Sequence, residues 1–477
     1  MRTLRTQPAG DILAELQRRL PAVLRAARHD AASPGSRLIS CTAPWRGSPD
    51  PTAVIAASRA PGEPWFCFEQ PDRDGSALAG LGTARVLEAN GGARFAELAG
   101  RWRRLSSEAL GDDGAGPPGA GLTAIGGFAF DPDGGRSAAW DGFAPASLLV
   151  PELSLCRRGP GTWLTVNLDV QPDDTTELLL GRVERRIAAL RGDALPLLDP
   201  SPHGRYRVDS PMAPSHYEEA VARAVARIRA GEVEKVVLAR EVEVHAPADH
   251  DPAAVLGVLR EAFPSCFVFA VGRGEATFIG ASPELLVRRE GQRASTVALA
   301  GSTRRSADPA VDDHLGERLL RSDKDREENA IVARRIAAVL RPHSVWVTAA
   351  PEPVVVKVAN IQHLASPIRA QLRSHLSAVE LAGMLHPTPA VGGEPTTDAM
   401  TMIPALEGLD RGWYAGTIGW SDRSGDGEFC VALRCALLRG PVARCYAGCG
   451  IVRDSDPASE LAETEIKLQA LLPVLAG

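Results

Sequence analysis

The chain has 477 residues, 44% of them hydrophobic and 23% charged, with a formal net charge of −6 at pH 7. That is a globular composition, long enough for two ordinary domains or one large one. The acidic balance gives no basic footprint for nucleic acid, so a small anionic substrate has to be held by local cations.

Taken from the N-terminus, MRTLRTQPAGDILAEL lacks the continuous apolar core of a signal peptide, and no run of 18 apolar residues follows anywhere. The expectation is a cytoplasmic protein with no membrane partner. Residues 11–28 predict a helix interrupted at Pro21. Short strands are expected at Leu38–Thr42, Pro64–Glu69, Leu122–Phe130, Ser147–Leu153 and Thr162–Val170. The Gly/Pro-rich stretch Gly111–Gly121 reads as a loop. Its Gly114, Gly116 and Gly119 spell GxGxxG, but no strand precedes them and two prolines occupy the place of a helix start, so it is not a dinucleotide site. A helix over Thr176–Arg191 closes this half, and residues 195–214 read as a linker. Ser215-x-x-Glu218 then forms a capping box for a helix with the stripe Val221, Ala224, Val225, Ile228, ending at Gly231. Strands and helices are mixed without βαβ alternation, which predicts an α+β fold with large antiparallel sheets flanked by helices. The eight cysteines form no C-x-x-C pair and sit mostly in apolar runs, as buried free thiols do.

The second half carries the chemistry. Lys235 opens the strand Lys235–Arg240 on the face of Val237 and Ala239. It either snorkels to water or is a desolvated general base. Glu284 follows the corner Gly280-Ala-Ser-Pro, either as an edge charge or as a carboxyl kept protonated by apolar surroundings. Glu328 lies at the margin of the packed face of the helix Asp323–Leu340, where a metal or buried cation would balance it. His363 and His386 are single histidines, by default structural. Phe429–Leu438 reads as one buried strand that puts Arg434 among small neighbours. Gly448 and Gly450 interrupt the strand Tyr446–Val452, as glycines do where a ligand approaches the backbone. Asp456-Pro457 opens a helix on which Glu460, Glu463 and Lys467 share one stripe. That stripe is either a solvated face with an ion pair or two carboxylates around a proton or metal.

KVVLAR, GASPE, ALAGS, SDKDREEN, QHL, LHPTPAVGG, GWYAGTIGW, FCVALR, AGCGIV and SDPASELAETEIK occur in one order and together resemble the chorismate-utilising enzymes. The nearest branch is that of the isochorismate synthases, which feed menaquinone, salicylate or catecholate siderophore biosynthesis. The resemblance covers residues 205–477, with Gly126-Gly-Phe-Ala-Phe-Asp-Pro132 similar as well. It implies the anthranilate synthase component I-like fold, with residues 1–200 as a variable N-terminal half, 201–477 as the chorismate-binding region, and the two intertwined. It also implies a Mg²⁺-dependent isomerase that adds water at C2 of chorismate while the C4 hydroxyl leaves. In this family Lys235 matches the base and Glu284 the general acid. Glu328 and Glu463 match the metal ligands, with Glu460 close by. Arg434, Lys467 and the Gly448 backbone match the groups that hold a substrate carboxylate. Gly301, Ser302, His363, Ala390 and Val391 match the pocket lining. Asn329 departs from the family's histidine, which places the change beside the metal. The rival activities are a salicylate synthase and an aminodeoxyisochorismate or anthranilate-type synthase; Lys235 stands where the ammonia-using branch has glutamine. The implied partners are chorismate and a downstream isochorismate-using enzyme, and the implied state is a monomer or weak dimer.

Overall fold

The computed structural model describes residues 7–29, 36–111, 116–198, 204–359 and 361–476. Part of the Gly111–Gly121 loop, including Gly114, and residues 199–203 of the expected linker lie outside these. Two large sheets carry the architecture. In the first, the strands lie in the order Arg207–Asp209, Lys235–His245, Val442–Ile451, Cys435–Arg439, Ala276–Ser282, Phe267–Gly274, Gly62–Gln70, Ser76–Leu81, Leu153–Arg158, Gly161–Val170, Arg37–Pro44 and Leu110–Gly111. Gly393–Glu394 is attached at Lys235 and Val236. The second sheet runs Ser344–Ala349, Ile361–Leu372, Arg293–Arg304, Leu285–Glu290, Gly427–Val431, Thr417–Asp422, Thr123–Phe128, Ala146–Val150 and Arg85–Ala89. Both draw strands from either side of residue 200. The pairings are antiparallel except Arg37–Pro44 with Leu110–Gly111, and helices pack outside them. This is the expected α+β fold.

Period-two alternation divides the core. Phe66 and Phe68 face Phe128 and Phe429 of the second sheet across one apolar layer, while Trp65 and Cys67 face outward to a second layer with Ile12, Leu16 and Val54. The helix Gln7–His29 runs through Pro21 without the expected interruption. Its stripe Ile12, Leu16, Leu20, Val23, Leu24 and Ala27 is buried along the whole length and holds both sides of the proline in place. The capping box at Ser215 does not form. The helix begins one residue earlier, at Pro214, and its N-cap is Ala213, which makes no side-chain cap bond. Within the expected linker, Arg207–Asp209 pairs with Glu243–His245. The expected strand Ser147–Leu153 is two, Ala146–Val150 in one sheet and Leu153–Arg158 in the other.

The most consequential correction concerns Phe429–Leu438. It is not one strand. Gly427–Val431 belongs to the second sheet and Cys435–Arg439 to the first, and the chain crosses between them at Ala432-Leu433-Arg434. Arg434 itself is left-handed, with φ +48°, a conformation that costs a non-glycine residue on the order of 1–3 kcal/mol. A second crossing lies alongside, at Pro283-Glu284, between Ala276–Ser282 and Leu285–Glu290. The two are tied together: Ala281 N–H donates to Arg434 O and Val431 N–H to Glu284 O, both at 3.0 Å. Glu284 and Arg434 therefore stand side by side on the seam between the sheets.

Candidate active site

The seam opens into a cleft of about 710 Å³, mouth included, lined among others by Glu284, Gly301, Ser302, Glu328, His363, Ala390, Val391, Arg434, Gly448, Glu463 and Lys467. Lys235 and Glu460 stand one layer behind these. Each sheet supplies part of the wall. Arg293–Arg304 of the second sheet bulges between Ala300 and Ser302, where Gly301 has φ +78° and lies so close to the Glu328 helix that a Cβ would stand 2.9 Å from Asp325 Cβ. That helix, Asp323–Leu340, forms as expected and is capped by Ser322, which accepts the Asp325 N–H. The helix Pro457–Leu468 is capped by Asp456 and presents Glu460, Glu463 and Lys467.

Lys235 is fully buried, and its Nζ lies 2.8 Å from Glu328 Oε1. The contact is an ion pair by distance, yet Nζ closes no well-aligned hydrogen bond among the described residues. What separates it from the cleft is Gly450. A Cβ there would come within 2.3 Å of Glu328 Oε1 and 3.1 Å of Lys235 Nζ, so the missing side chain is a window onto the lysine. Glu284 is 3% exposed. Burial pushes its carboxyl up to about 8, against the pull of Lys235, Arg434 and Lys467, so it holds its proton at neutral pH.

Glu463 has the opposite environment. Burial alone would raise it, but Lys467 at 2.7 Å and the Ser302 hydroxyl at 2.8 Å outweigh burial and hold it at about 2. Lys467 also donates to Gly448 O at 2.9 Å. At Gly448 a Cβ would lie 2.7 Å from Leu238 O and 3.0 Å from the Tyr414 hydroxyl. Arg434 donates to His363 Nε2 at 3.2 Å, and because arginine can only donate, that nitrogen is the acceptor. Burial, followed by the charge of Arg434, lowers the His363 ring to about 3 and keeps it neutral. His386 is outside the cleft, held by Phe130 O at 3.0 Å between Phe95 and Phe130.

For a metal, the expected ligands are Glu328 and Glu463 with Glu460 close by. Cys449 Sγ, Glu460 and Glu463 lie within 4.8 Å of one another, whereas Glu328 is turned to Lys235. Burial, then Glu463, pushes the Cys449 thiol well above its ordinary range, and its sulfur lies 3.4 Å from Glu460 O, so it is a wall and not a ligand. The donors that remain are hard carboxylate oxygens, which suit Mg²⁺. Each carboxylate has its own lysine: Glu328 has Lys235, Glu463 has Lys467, and Glu460 has Lys324 at 3.1 Å.

Asn329 turns away from all of this. Its amide donates to Ala298 O and Leu364 O, each at 3.1 Å, and its oxygen accepts from Ser366 at 2.6 Å. It buttresses two strands. Sequence reasoning did not find Tyr414, Tyr446, Leu299, Leu433 or Val237, which also line the cleft. Tyr414 was visible inside GWYAG, but no spacing rule assigns an isolated aromatic to a ligand.

The chain matches the chorismate binding enzyme family over residues 23–476, and it belongs to that family. It is 37% identical over 428 residues to the salicylate biosynthesis isochorismate synthase of Pseudomonas aeruginosa, covering 90% of this chain and 88% of the relative. To the isochorismate synthase MenF of Bacillus subtilis it is 34% identical over 428 residues, covering 86% and 88%. Among solved structures it resembles MenF, the menaquinone-specific isochorismate synthase from Escherichia coli, with TM-score 0.76 and 28% identity over 96% of this chain and 99% of that one. No described helix is long and apolar enough to cross a membrane.

Proposed function

We propose that the chain converts chorismate to isochorismate, with Lys235 and Glu284 as the proton-transfer pair. The carrying observation is that one cleft joins a buried acid that holds its proton to about pH 8 with a lysine reachable through Gly450. Lys235 takes a proton from the water that attacks C2. Glu284 gives its proton to the departing C4 hydroxyl, and the ring double bond shifts between the two events. Arg434 and Lys467 meet a substrate carboxylate, Arg434 through its planar fork. Neutral His363 keeps that fork in place. Ala390 and Val391 form an apolar wall with no donor or acid for a further elimination, which favours release of isochorismate over a salicylate synthase reaction.

Glu463, Glu328 and Glu460 are the groups that would hold Mg²⁺. When bound, the ion orients the ring carboxylate and stabilises developing charge. With Lys235 neutral as the base requires, the protein's own charges nearly cancel here, Glu328, Glu460 and Glu463 against Lys324, Lys467 and Arg434, so a dication and a dianionic substrate complement each other. The eight buried free thiols fit a reducing compartment, the cytoplasm, and a separate enzyme would consume the product.

The test is incubation of the purified chain with chorismate and Mg²⁺, products being identified by chromatography and mass. Isochorismate should appear first, with chorismate remaining, and EDTA should abolish turnover. Salicylate and pyruvate in equal amounts, at the rate of chorismate loss, would overturn the assignment.

A further inference from the structure

The strand that carries Lys235 has a gap along its outer edge. Gly393–Glu394 pairs with Lys235 and Val236, and Arg207–Asp209 pairs with Glu243–His245. Between these short partners the edge would offer unpaired backbone groups. Val237 N–H is met by Gly392 O at 2.7 Å. Two more are met by side chains. Ala239 N–H donates to Glu407 Oε1 at 2.6 Å, and Val237 O accepts from Arg411 Nη2 at 2.9 Å. The second terminal nitrogen of Arg411 donates to Val391 O, also at 2.9 Å. Arg411 Nε holds Glu407 Oε2 at 3.0 Å, and Nη2 closes a second contact on Oε1. Both side chains are under 5% exposed. The guanidinium also lies over the Phe130 ring at 4.1 Å and beside Tyr414 at 5.9 Å.

One buried ion pair thus stands in for a missing strand and joins three parts of the cleft: the Lys235 strand, the loop that presents Ala390 and Val391, and Tyr414. Glu407 also lines a second cavity of about 1020 Å³, together with Leu238, Ala239 and Tyr446. If the pair were lost, the edge would have room to move.

We propose that Arg411, locked by Glu407, is a positioning residue for the reaction: it fixes the apolar wall at Val391 in register with the lysine strand. It touches no reacting atom. A displacement of about 1 Å in such a wall costs up to ~100-fold in rate. Lysine keeps the charge but cannot reach Val237 O, Val391 O and Glu407 from one nitrogen.

The proposal rests on the isochorismate synthase reading for its kinetic readout, so a second readout is independent of turnover. Arg411→Lys and the double variant Glu407→Met/Arg411→Met would be compared with wild type by steady-state kinetics, thermal unfolding and amide hydrogen exchange. Replacing both members together leaves no lone buried charge, but it orphans Ala239 N–H, Val237 O and Val391 O, so the double variant should stay folded at the assay temperature while unfolding below wild type. Its kcat should nevertheless stay about 10–100-fold down, as should that of Arg411→Lys. Peptides covering 235–241 and 388–394 should exchange faster in both variants while the rest of the chain is unchanged. Wild-type kcat in either variant, or unchanged exchange in those two peptides, would overturn the proposal. If wild type itself fails to turn over chorismate, the reaction assignment falls, and the exchange data alone decide the positioning role.

Discussion

Two buried lysine- or arginine-to-glutamate pairs are set against one strand of this protein, Lys235–His245, and they are built in opposite ways. Glu407–Arg411 is closed: each nitrogen of the guanidinium fork is aimed at a carboxylate or a backbone carbonyl, and Glu407 Oε1 caps an amide as well. Lys235–Glu328 is open: the lysine nitrogen is fully buried, yet it closes no aligned hydrogen bond among the described residues, and a glycine separates it from the cleft. Burying a charge is costly unless its partners are complete. A complete pair can therefore serve as scaffold, while an incomplete one marks a group kept available for something that arrives later. By that criterion the open pair is the one we propose for the chemistry.

The largest effect should come from removing the open pair's lysine. Lys235→Gln should lower kcat by roughly 10²–10⁴-fold, the range for a positioned proton transfer, with circular dichroism and thermal unfolding close to wild type. Turnover like that of wild type would end the distinction between the two pairs. Glu284→Gln should cost a comparable amount, and its pH behaviour is more telling. Because the acid has to be protonated, kcat/KM should fall as pH rises through about 8, and the glutamine variant should lack that limb. The same raised value makes the native state the stronger proton binder between the ordinary carboxylate range and about 8, so this group's contribution to stability is present at low pH and lost as pH rises. A basic limb that survives in the glutamine variant would assign it to another group.

Gly450→Ala closes the window while keeping both Lys235 and Glu328. The added methyl would press on Glu328 Oε1 and Lys235, so kcat should drop about 10–100-fold, the order expected for misplacing a reacting group, while the fold survives. An active alanine variant would show that water reaches Lys235 by another route. The smallest kinetic effect is expected at Asn329. Asn329→Ala removes three buried hydrogen bonds and should cost about 1–3 kcal/mol of stability, read by chemical unfolding, with kcat within about twofold. Loss of metal-dependent activity at full stability would return Asn329 to the metal site.

Much of this was legible in the sequence, and the failures have identifiable causes. The helix Asp323–Leu340 and the Asp456 cap carry local signals, serine or aspartate followed by an amphipathic stripe, and both hold. The crossing at Arg434 was invisible because Phe429–Leu438 is apolar at every position but Arg434. A chain buried in two successive sheets reads the same as a chain buried in one, and nothing local announces an arginine at positive φ. Ser76–Leu81 was missed for a similar reason: it is buried on both faces and lacks alternation. The helix Arg94–Glu108, with Phe95, Leu98, Ala99 and Trp102 on its buried side, could have been read from spacing alone. Glu407 and Arg411 sit at i and i+4 near a glycine, which on sequence resembles an exposed helix-end pair; only the gap in the adjacent sheet edge reveals their burial.

The central claim is that Lys235 activates a solvent water, and an isotope test reaches it most directly. The purified chain would turn over chorismate with Mg²⁺ in water enriched in oxygen-18, and early isochorismate would be weighed by mass spectrometry. One oxygen-18 atom per molecule, located at the C2 hydroxyl, is the predicted result. Isochorismate formed without the label would mean that the hydroxyl migrates within the substrate, leaving Lys235 with no water to activate.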